Sequence, residues 1–385
     1  MPEAVIIDAV RTPLGKRNGA LADWHPADLA AEPLKALAER NSLDPVLVDD
    51  VIMGCVSQVG EQTYNIGRNA VLAAGWPETV PGVTIDRQCG SSQQSVHFAA
   101  QGVMAGAYDV VVAAGVESMS RVPMGSSMAG ANPFGERMRA RYHDSLVPQG
   151  LSAEMIAEQW GIDRSELDQI GYESQMRAIR ATEEGRFENE IVPIDIKADG
   201  VVSQVVTDGG LRPSTTLEGL AELKPAFKED GVVTAGNSSQ ITDGSAAILI
   251  MSRDKADELG LTPRARFVSF SLAGTDPITM LTGPIPATRK ALAKAGLSID
   301  DIDLFEVNEA FAAVIGAWLR ETGADWEKVN PNGGAIALGH PLGASGARLM
   351  TTLVNELERS GGRYGLQTMC EGGGLANGTI IESLA

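Results

Sequence analysis

Three residues of this chain carry a reactive side chain within or beside a turn of small residues: Cys89, His340 and Cys370. Cys89 lies in residues 86–92, and a helix-permissive stretch follows it. His340 lies in a glycine-dense loop, and Cys370 opens a Cys-Glu-Gly-Gly-Gly run at the end of a short apolar segment. These are the settings that catalysis by a thiol requires.

The position of Cys89 before a helical stretch predicts a nucleophile. The dipole and the unpaired N–H groups of a helix N-terminus stabilise a thiolate and lower the pKa of the thiol. A second cysteine far away in the sequence, Cys370, can serve as an acid or a base. We therefore expect thiol chemistry with a lowered pKa at Cys89.

Composition limits the partners that the chain can bind. Its 385 residues are long enough for two or three domain-sized cores, and 44% hydrophobic with 21% charged residues is typical of a folded protein. The net charge of −19 repels phosphate backbones, so we expect no nucleic-acid partner. An anionic substrate must then be bound by local donors. The apolar runs are too short to span a membrane, so we expect no membrane insertion.

Cysteine usage and the ends of the chain predict a cytoplasmic location. Three cysteines, an odd number, give no disulfide framework. The chain begins with a strand-like run without a signal-peptide pattern, and it ends without a peroxisomal tail. The histidines and cysteines show none of the close pairs that zinc sites use, so we expect no metal. No phosphate-loop or dinucleotide-binding motif is present.

The order of the segments predicts an α/β fold built from two copies of one unit. Helix, acidic turn and strand at residues 35–55 match the same series at residues 290–308. The Cys89 turn, its helix and the next strand match the His340 turn, a helix at about 344–359 and the strand at 365–369. A two-fold related pair of such units brings both turns to one cleft.

The middle of the chain behaves differently and predicts an insertion. Residues 118–130 are loop-like, and helices follow: Ser152 is expected to cap one, and Asp163 with Glu166 forms a capping box for another that reaches about Glu184. We interpret this stretch as a substrate-binding unit inserted into the first half. The predicted division is 1–117 with 236–262, then 118–235, then 263–385.

Nine ordered motifs along essentially the whole chain resemble the thiolase family. They are residues 8–13, 86–92, 115–120, 236–239, 243–244, 283–284, 308–311, 332–346 and 370–374. The resemblance implies a thiolase fold, which is a duplicated five-layered αβαβα core with an inserted loop domain. It also implies chemistry on CoA thioesters, coenzyme A as a substrate rather than a tightly bound cofactor, and a homodimer or homotetramer.

The same resemblance implies roles for the site residues. Cys89 resembles the nucleophile that forms an acyl-enzyme, and His340 the base that activates it, with an imidazole that titrates near neutral pH. Cys370 resembles the acid/base of the carbon–carbon step, with a pKa near the operating range. One oxyanion hole is implied between His340 and a water held by Asn308. The other is implied at the N–H groups of Cys89 and Gly372.

Further positions match residues that bind substrate in relatives. Arg212 and Ser239 match contacts to CoA, whereas Met280 and Phe311 are expected to line the acyl pocket or to belong to the ordinary core. Cys55, without a glycine cradle, is expected to be packing. Short-chain biosynthetic thiolases usually carry His-Met-Gly where this chain has Pro-Gln-Gly at residues 148–150, which leaves room for a bulkier acyl group.

We therefore expect a 3-ketoacyl-CoA thiolase, an acyltransferase that cleaves 3-ketoacyl-CoA with CoA into acetyl-CoA and a shortened acyl-CoA. Residues 87–94 and 363–370 look closest to degradative thiolases of the steroid-ring catabolism type. One alternative is an acetyl-CoA acetyltransferase that makes acetoacetyl-CoA. Another is a catalytically silent protein of thiolase fold that only binds CoA esters.

Overall fold

The computed structural model describes residues 2–198 and 201–385. The strands are β1 (Ala4–Arg11), β2 (Gly15–Lys16), β3 (Asp50–Gly54), β4 (Val83–Ile85), β5 (Val110–Ser118), β6 (Ile194–Ala198), β7 (Val201–Val205), β8 (Thr242–Ser252), β9 (Ala265–Gly274), β10 (Leu304–Val307), β11 (Tyr364–Glu371) and β12 (Leu375–Ser383). The helices are α1 (Pro26–Arg40), α2 (Ile66–Ala73), α3 (Ser91–Met104), α4 (Glu136–Arg141), α5 (Gln149–Trp160), α6 (Arg164–Glu183), α7 (Leu217–Ala221), α8 (Arg253–Leu259), α9 (Pro284–Ala295), α10 (Ala312–Thr322) and α11 (Ser345–Ser360).

The strand order confirms the predicted duplication. In the first half the order is β1-β8-β5-β3-β4, and in the second half it is β9-β12-β11-β10. A parallel bridge between Phe305 and Val329 occupies in the second half the place that β4 has in the first. The two halves join where β1 pairs with β9, at Val5 with Arg266 and at Ile6 with Ala265.

Hydrophobic clusters divide the core into five layers, as expected for the thiolase fold. Helices α1 and α2 cover the outer face of the first half, where Leu34 and Ile66 belong to the same hydrophobic cluster as Leu249. Helices α3 and α11 lie between the halves and share a cluster with strands of both. Helices α9 and α10 cover the outer face of the second half, where Trp318 packs against Phe305.

The local signals in the sequence predicted two of the helices well and one poorly. Asp163 caps α6, as predicted, because its carboxylate accepts a hydrogen bond from the Glu166 N–H, but the predicted capping box is incomplete because the Glu166 carboxylate pairs with Arg320 instead. The predicted cap at Ser152 is wrong, since α5 already begins at Gln149 and the Ser152 hydroxyl donates to the carbonyl of Ile278 at 2.6 Å. Helix α11 lies within one residue of its predicted position.

The segment between β5 and β8 packs on the second half through its helices. Ile156 of α5 and Leu167 of α6 belong to the same hydrophobic cluster as Trp318 of α10. Because this segment shares a core with the rest of the chain, the clusters do not separate it as a unit. The division of the chain around an inserted unit at 118–235 therefore stays a prediction.

Buried ion pairs fasten the same segment to β1. The Arg11 guanidinium contacts the carboxylates of Glu190 at 2.6 Å and Asp208 at 2.7 Å, and all three side chains are buried. Breaking one partner of such a pair leaves an uncompensated buried charge. Arg11 therefore fixes the position of the segment between β5 and β8. In the part of the chain that the structure describes, no helix has the length and apolarity to cross a bilayer.

Candidate active site

The turn before α3 presents Cys89 in a locked conformation. Gln88 has φ 48°, a left-handed backbone that a residue with a side chain rarely adopts. The Ser91 hydroxyl holds the turn, because it donates to the Gln88 carbonyl at 2.6 Å and accepts from the Arg87 N–H at 2.9 Å. Strain that the surrounding structure enforces is a common property of nucleophile turns.

The N-termini of α3 and α11 touch, which brings the two turns together. A Cβ on Gly346 would lie 2.1 Å from the backbone nitrogen of Gln93, so only glycine fits at this crossing. The Ala347 N–H donates to the Ser92 hydroxyl at 2.9 Å across the same contact. The expected cleft between the Cys89 and His340 turns therefore lies at the point where the two helices begin.

Hydrogen bonds set the orientation and tautomer of His340. The Ser345 hydroxyl donates to the Pro341 carbonyl at 2.8 Å, so it accepts from the Nδ1–H of His340 at 2.5 Å. The Nε2 of His340 then carries the lone pair. Nδ2 of Asn308 lies 3.4 Å from it, which places Asn308 beside His340 as predicted.

His340 is a neutral base in this structure. Burial, together with the positive charge of Arg348, lowers the pKa of His340 to about 3. The expectation that this imidazole titrates near neutral pH is wrong for the free protein, because the side chain is only 4% exposed. A neutral imidazole whose Nε2 carries the lone pair can accept a proton without first losing one.

Cys89 is a thiol rather than a preformed thiolate. Burial, and then the carboxylate of Glu371, raise the pKa of Cys89 to about 12. The backbone N–H of Gly372, the side-chain amide of Gln149 and the backbone N–H of Cys89 itself lower this pKa, but they do not compensate for burial. The expectation of a lowered pKa is therefore wrong, since desolvation outweighs the helix N-terminus.

Cys370 is the last residue but one of β11 and is buried beside Cys89. Its pKa is raised well above the usual value by burial, with contributions from Cys89 and from Glu371. The prediction of a pKa near neutral is wrong for the free protein. The thiol is a proton donor in this state, and the strand delivers it and the N–H of Gly372 to the same place as Cys89.

Arg212 and Ser239 line one pocket. The pocket has a volume of about 360 Å³. Lys16 and Arg17 also line it, so three cationic side chains gather at one place in a chain with a net charge of −19. Phosphate groups are the ligands that such a cluster favours.

Met280 and Phe311 lie with Cys370 in one buried hydrophobic cluster. The ring of Phe311 meets that of Phe227 edge to face at 5.8 Å between centroids. Phe227 is partly exposed, so it connects this cluster to the surface. Cys55, in contrast, is fully buried in the apolar cluster of the first half, in agreement with its interpretation as packing.

Within residues 2–198 and 201–385, histidine, cysteine and carboxylate side chains form no group that could hold a metal ion. Comparison with known families gives two matches, to the N-terminal domain of thiolase over residues 4–254 and to the C-terminal domain of thiolase over residues 261–383. The chain belongs to the thiolase family. It is accordingly an acyltransferase, and the expected fold is confirmed.

Individual thiolases resemble the chain over its full length. It is 53% identical to the steroid 3-ketoacyl-CoA thiolase of Mycobacterium tuberculosis, over 100% of this chain and 95% of that protein. It is 47% identical to the 3-oxoadipyl-CoA/3-oxo-5,6-dehydrosuberyl-CoA thiolase of Escherichia coli, over 99% of this chain and 100% of that protein. The acetyl-CoA acetyltransferase of Bacillus anthracis superposes with a TM-score of 0.92 at 43% identity, covering 100% of this chain and 99% of that one.

Sequence reasoning missed several residues that position the site of this thiolase. The Glu117 carboxylate accepts from the N–H groups of Val56 at 2.9 Å, Ser57 at 3.0 Å and Gly343 at 2.8 Å, so it ties the His340 loop to the first half. Ser345 was missed although it stands at the predicted helix start. Both lie inside recognised motifs, which is the signal that could have found them.

Sequence reasoning also gave no separate role to Glu371, which it treated only as part of the motif that begins at Cys370. Its carboxyl group is fully buried, and neither oxygen has a hydrogen-bond partner among the side chains and backbone that the structure describes. Burial raises the pKa of Glu371 to about 8, against the opposing charge of Arg87. A Cβ on Gly90 would lie 2.0 Å from a Glu371 oxygen, so this carboxyl group lies directly against the turn that carries Cys89.

Proposed function

We propose that this thiolase is a 3-ketoacyl-CoA thiolase, which uses CoA to cleave 3-ketoacyl-CoA into acetyl-CoA and a shortened acyl-CoA through an acyl-enzyme on Cys89. The observation that carries the proposal is the convergence of the Cys89 and His340 turns where α3 and α11 touch, with Cys370 next to Cys89 and a neutral His340 whose Nε2 carries the lone pair. The names of the relatives in Mycobacterium tuberculosis and Escherichia coli support the substrate class.

The first half-reaction breaks the carbon–carbon bond. Nε2 of His340 takes the thiol proton of Cys89, and the sulfur attacks the 3-keto carbon of the substrate. The N–H groups of Cys89 and Gly372 donate to the oxyanion that forms. When this oxyanion collapses, the bond between C2 and C3 breaks, the acyl group stays on Cys89, and the Cys370 thiol protonates C2 of the departing enolate.

The protonated His340 then stabilises the leaving enolate. Its Nε2–H, gained from Cys89, donates to the thioester oxygen of the enolate. Asn308 lies beside Nε2, and its buried Oδ1 has no partner among the described residues, so it can accept from a water that also contacts this oxygen. A histidine that begins neutral is thus charged only when the negative charge appears.

The second half-reaction transfers the acyl group to CoA. The Cys370 thiolate takes the thiol proton of CoA, and the CoA sulfur attacks the acyl carbon. Cys89 leaves as a thiolate and receives its proton back from His340. Each thiol and the imidazole return to their first state, so one turnover consumes one CoA and no other reactant.

The pocket with Arg212 and Ser239 is our proposed site for coenzyme A, which is a substrate and not a tightly bound cofactor. Its cations Lys16 and Arg17 supply the local donors that an anionic substrate needs on a negatively charged protein. Met280 and Phe311, clustered with Cys370, form the wall of the acyl pocket. Pro148 stands where short-chain enzymes carry histidine, which favours acyl groups larger than acetoacetyl.

Thiolysis across a panel of substrates tests the proposal. At matched enzyme concentration, CoA-dependent cleavage is measured for acetoacetyl-CoA, long-chain 3-ketoacyl-CoA and bulky alicyclic 3-ketoacyl-CoA. We expect kcat/KM for the long or alicyclic esters to exceed that for acetoacetyl-CoA. A preference for acetoacetyl-CoA would favour the acetyl-CoA acetyltransferase alternative, and binding without any turnover would favour a silent CoA-ester-binding protein.

Two variants separate the roles of the thiols. Cys89→Ala is expected to abolish the acyl adduct seen by mass spectrometry while CoA binding stays nearly intact. Cys370→Ala is expected to become acylated from an acyl-CoA donor and to fail in carbon–carbon cleavage. Cys55→Ala is the matched control, because this thiol lies in a separate apolar cluster. Turnover near the wild-type level in Cys89→Ala would overturn the assignment of the nucleophile.

We further infer a homodimer or homotetramer and a cytoplasmic location. The thiolase family supports the first, and three cysteines without a disulfide framework support the second. Light scattering after size-exclusion chromatography measures the subunit number, and a monomer would contradict the oligomer. Cell fractionation tests the location.

A further inference from the structure

The carboxamide of Gln149 lies at the Cys89 turn although it belongs to the inserted segment. Gln149 is the first residue of α5, and its Nε2 lies 3.5 Å from the position that a Cβ on Gly372 would take. The N–H of Gly372 lowers the pKa of Cys89, as a donor close to its sulfur does. The Gln149 amide therefore shares a site with a backbone donor of the proposed oxyanion hole.

Helix α5 holds Gln149 in a fixed place. The Ser152 hydroxyl, one turn further on, donates to the Ile278 carbonyl at 2.6 Å, and Ser152 is fully buried. A Cβ on Gly150 would lie 2.2 Å from the Phe227 ring, so the helix begins in close contact with this ring. Ile156 packs in the cluster around α10. A side chain on such a helix is better positioned than one on a loop.

We propose that Gln149 is a catalytic residue that donates its carboxamide N–H to the developing charge on the Cys89 thioester, as a third donor beside the N–H groups of Cys89 and Gly372. This inference rests on the proposed function, since it requires an acyl-enzyme on Cys89. When the sulfur attacks, negative charge moves from the sulfur to the former carbonyl oxygen, which is bonded to the same carbon. A donor next to the sulfur is within reach of both atoms.

The neighbouring glutamine does not present a donor in the same way. Gln88 places its Oε1, an acceptor, 3.1 Å from the Gly372 Cβ position, and its Nε2 faces the Asp86 carboxylate at 3.4 Å. Gln149 instead presents its Nε2, a donor, to the side of Gly372 on which a Cβ would lie. In the free protein the Gln149 N–H already lowers the pKa of Cys89, as a donor to developing thiolate should.

Single-turnover acylation tests the role of Gln149. The wild type, Gln149→Met and Gln149→Glu are mixed with an acyl-CoA donor, and CoA release and acyl-Cys89 are followed together. Loss of one oxyanion donor costs about 10²–10³-fold in rate when it acts with few others. With two backbone donors left, we expect Gln149→Met to acylate roughly 10- to 100-fold more slowly, with the KM for the donor changed less than about threefold.

Two further measurements distinguish chemistry from folding. Gln149→Glu is nearly isosteric and presents acceptors, so it should acylate more slowly still, and the rate of Cys89 alkylation at a fixed pH of about 8 should fall in both variants. Gln169→Met, on the exposed face of α6, is the matched control because its Nε2 only contacts Glu173 at 3.1 Å. Melting temperatures show whether each variant is folded.

The outcomes separate this inference from the function on which it rests. If the wild type forms no acyl-Cys89, the proposed function fails and the role of Gln149 fails with it. If the wild type forms the adduct and Gln149→Met forms it equally fast, only the role of Gln149 is overturned. An equal loss of rate in Gln169→Met would also overturn it, because the effect would then be general.

Discussion

At the scale of single residues, burial decides the chemistry of the site. Cys89 is 5% exposed and Cys370 1%, and both thiols therefore hold their protons in the free protein. His340 is neutral for the same reason. The resting site thus contains two thiols and one imidazole without charge, and the charges form only when substrate carbonyl groups are present to receive them.

Ser345 should control how well His340 accepts the Cys89 proton. In Ser345→Ala the Nδ1–H loses its acceptor, and the imidazole is free to adopt the tautomer with a proton on Nε2. We expect kcat to fall by roughly 10-fold, since general base catalysis contributes about 10²–10⁴-fold in total. Ser360→Ala, which removes a hydroxyl from the far end of the same helix, is the control. Equal kcat values in the two variants would contradict the orienting role.

Glu371 should make folding stability depend on pH. Burial raises the pKa of Glu371 to about 8, so the folded state holds a proton that the unfolded state releases near 4.5. Stability due to this group is therefore fully present below pH 4.5 and is lost as the pH rises toward 8. Glu371→Gln has no such loss, so its free energy of unfolding relative to wild type should rise by more than about 1.4 kcal/mol between pH 5 and pH 9.

Urea unfolding at several pH values measures this difference. Glu183→Gln, which changes an exposed carboxyl group on α6, should show no comparable trend. A constant offset between wild type and Glu371→Gln at every pH would mean that the carboxyl group has the same pKa in both states.

At the scale of elements, the starts of α3 and α11 form the framework of the site. In Gly346→Ala the new Cβ would meet the Gln93 backbone at 2.1 Å, and backbone cannot move aside as a flexible side chain can. We expect a loss of about 2 kcal/mol in the free energy of unfolding. Activity should fall further than stability alone explains, because the Cys89 and His340 turns separate.

Melting curves and thiolysis rates on the same sample test this prediction. The control is Gly135→Ala, since a Cβ at Gly135 meets nothing within 4 Å and the residue does not have positive φ. If Gly346→Ala retained wild-type activity, the contact between the helices would not set the geometry of the site.

The elements also show what the sequence could predict. Repeated strand–turn–helix patterns predicted the two halves, because such patterns depend on local order. The association of Asn308 with His340, which lies 32 residues further along the chain, was implied only by the resemblance to the thiolase family. The start of α5 was predicted four residues late, since the predicted cap was Ser152 and the cap in the structure is Pro148. The hydroxyl of Ser152, which was expected to cap the helix, instead donates a hydrogen bond to the carbonyl of Ile278, 126 residues away in the chain. The pKa values expected for Cys89, His340 and Cys370 were wrong because each is shifted by burial, and the depth of burial is set by the folded core and cannot be read from the local sequence.

At the scale of the whole molecule, one pocket is lined by positive charge although the protein as a whole is strongly negative. The net charge is −19, yet Lys16, Arg17 and Arg212 gather at one pocket. Arg212→Gln should raise the KM for CoA roughly fivefold and leave kcat nearly unchanged, because it removes about 1 kcal/mol of exposed electrostatic attraction. Arg180→Gln, an exposed arginine on α6 away from the pocket, is the control.

Steady-state kinetics at two salt concentrations provide the measurement. The effect of Arg212→Gln on KM should shrink at high ionic strength, where exposed charges are screened. An effect that does not depend on salt would mean that Arg212 acts through packing.

The matching strand orders of the two halves also limit how such a site can be built. One half supplies the cysteine turn and the other the histidine turn, at corresponding positions. Two identical copies of either half, paired about a symmetry axis, would present thiol to thiol or imidazole to imidazole. An asymmetric reaction therefore needs a pair of unlike halves, and a gene cut between β8 and β9 should give two inactive fragments that regain thiolysis only when they are produced together.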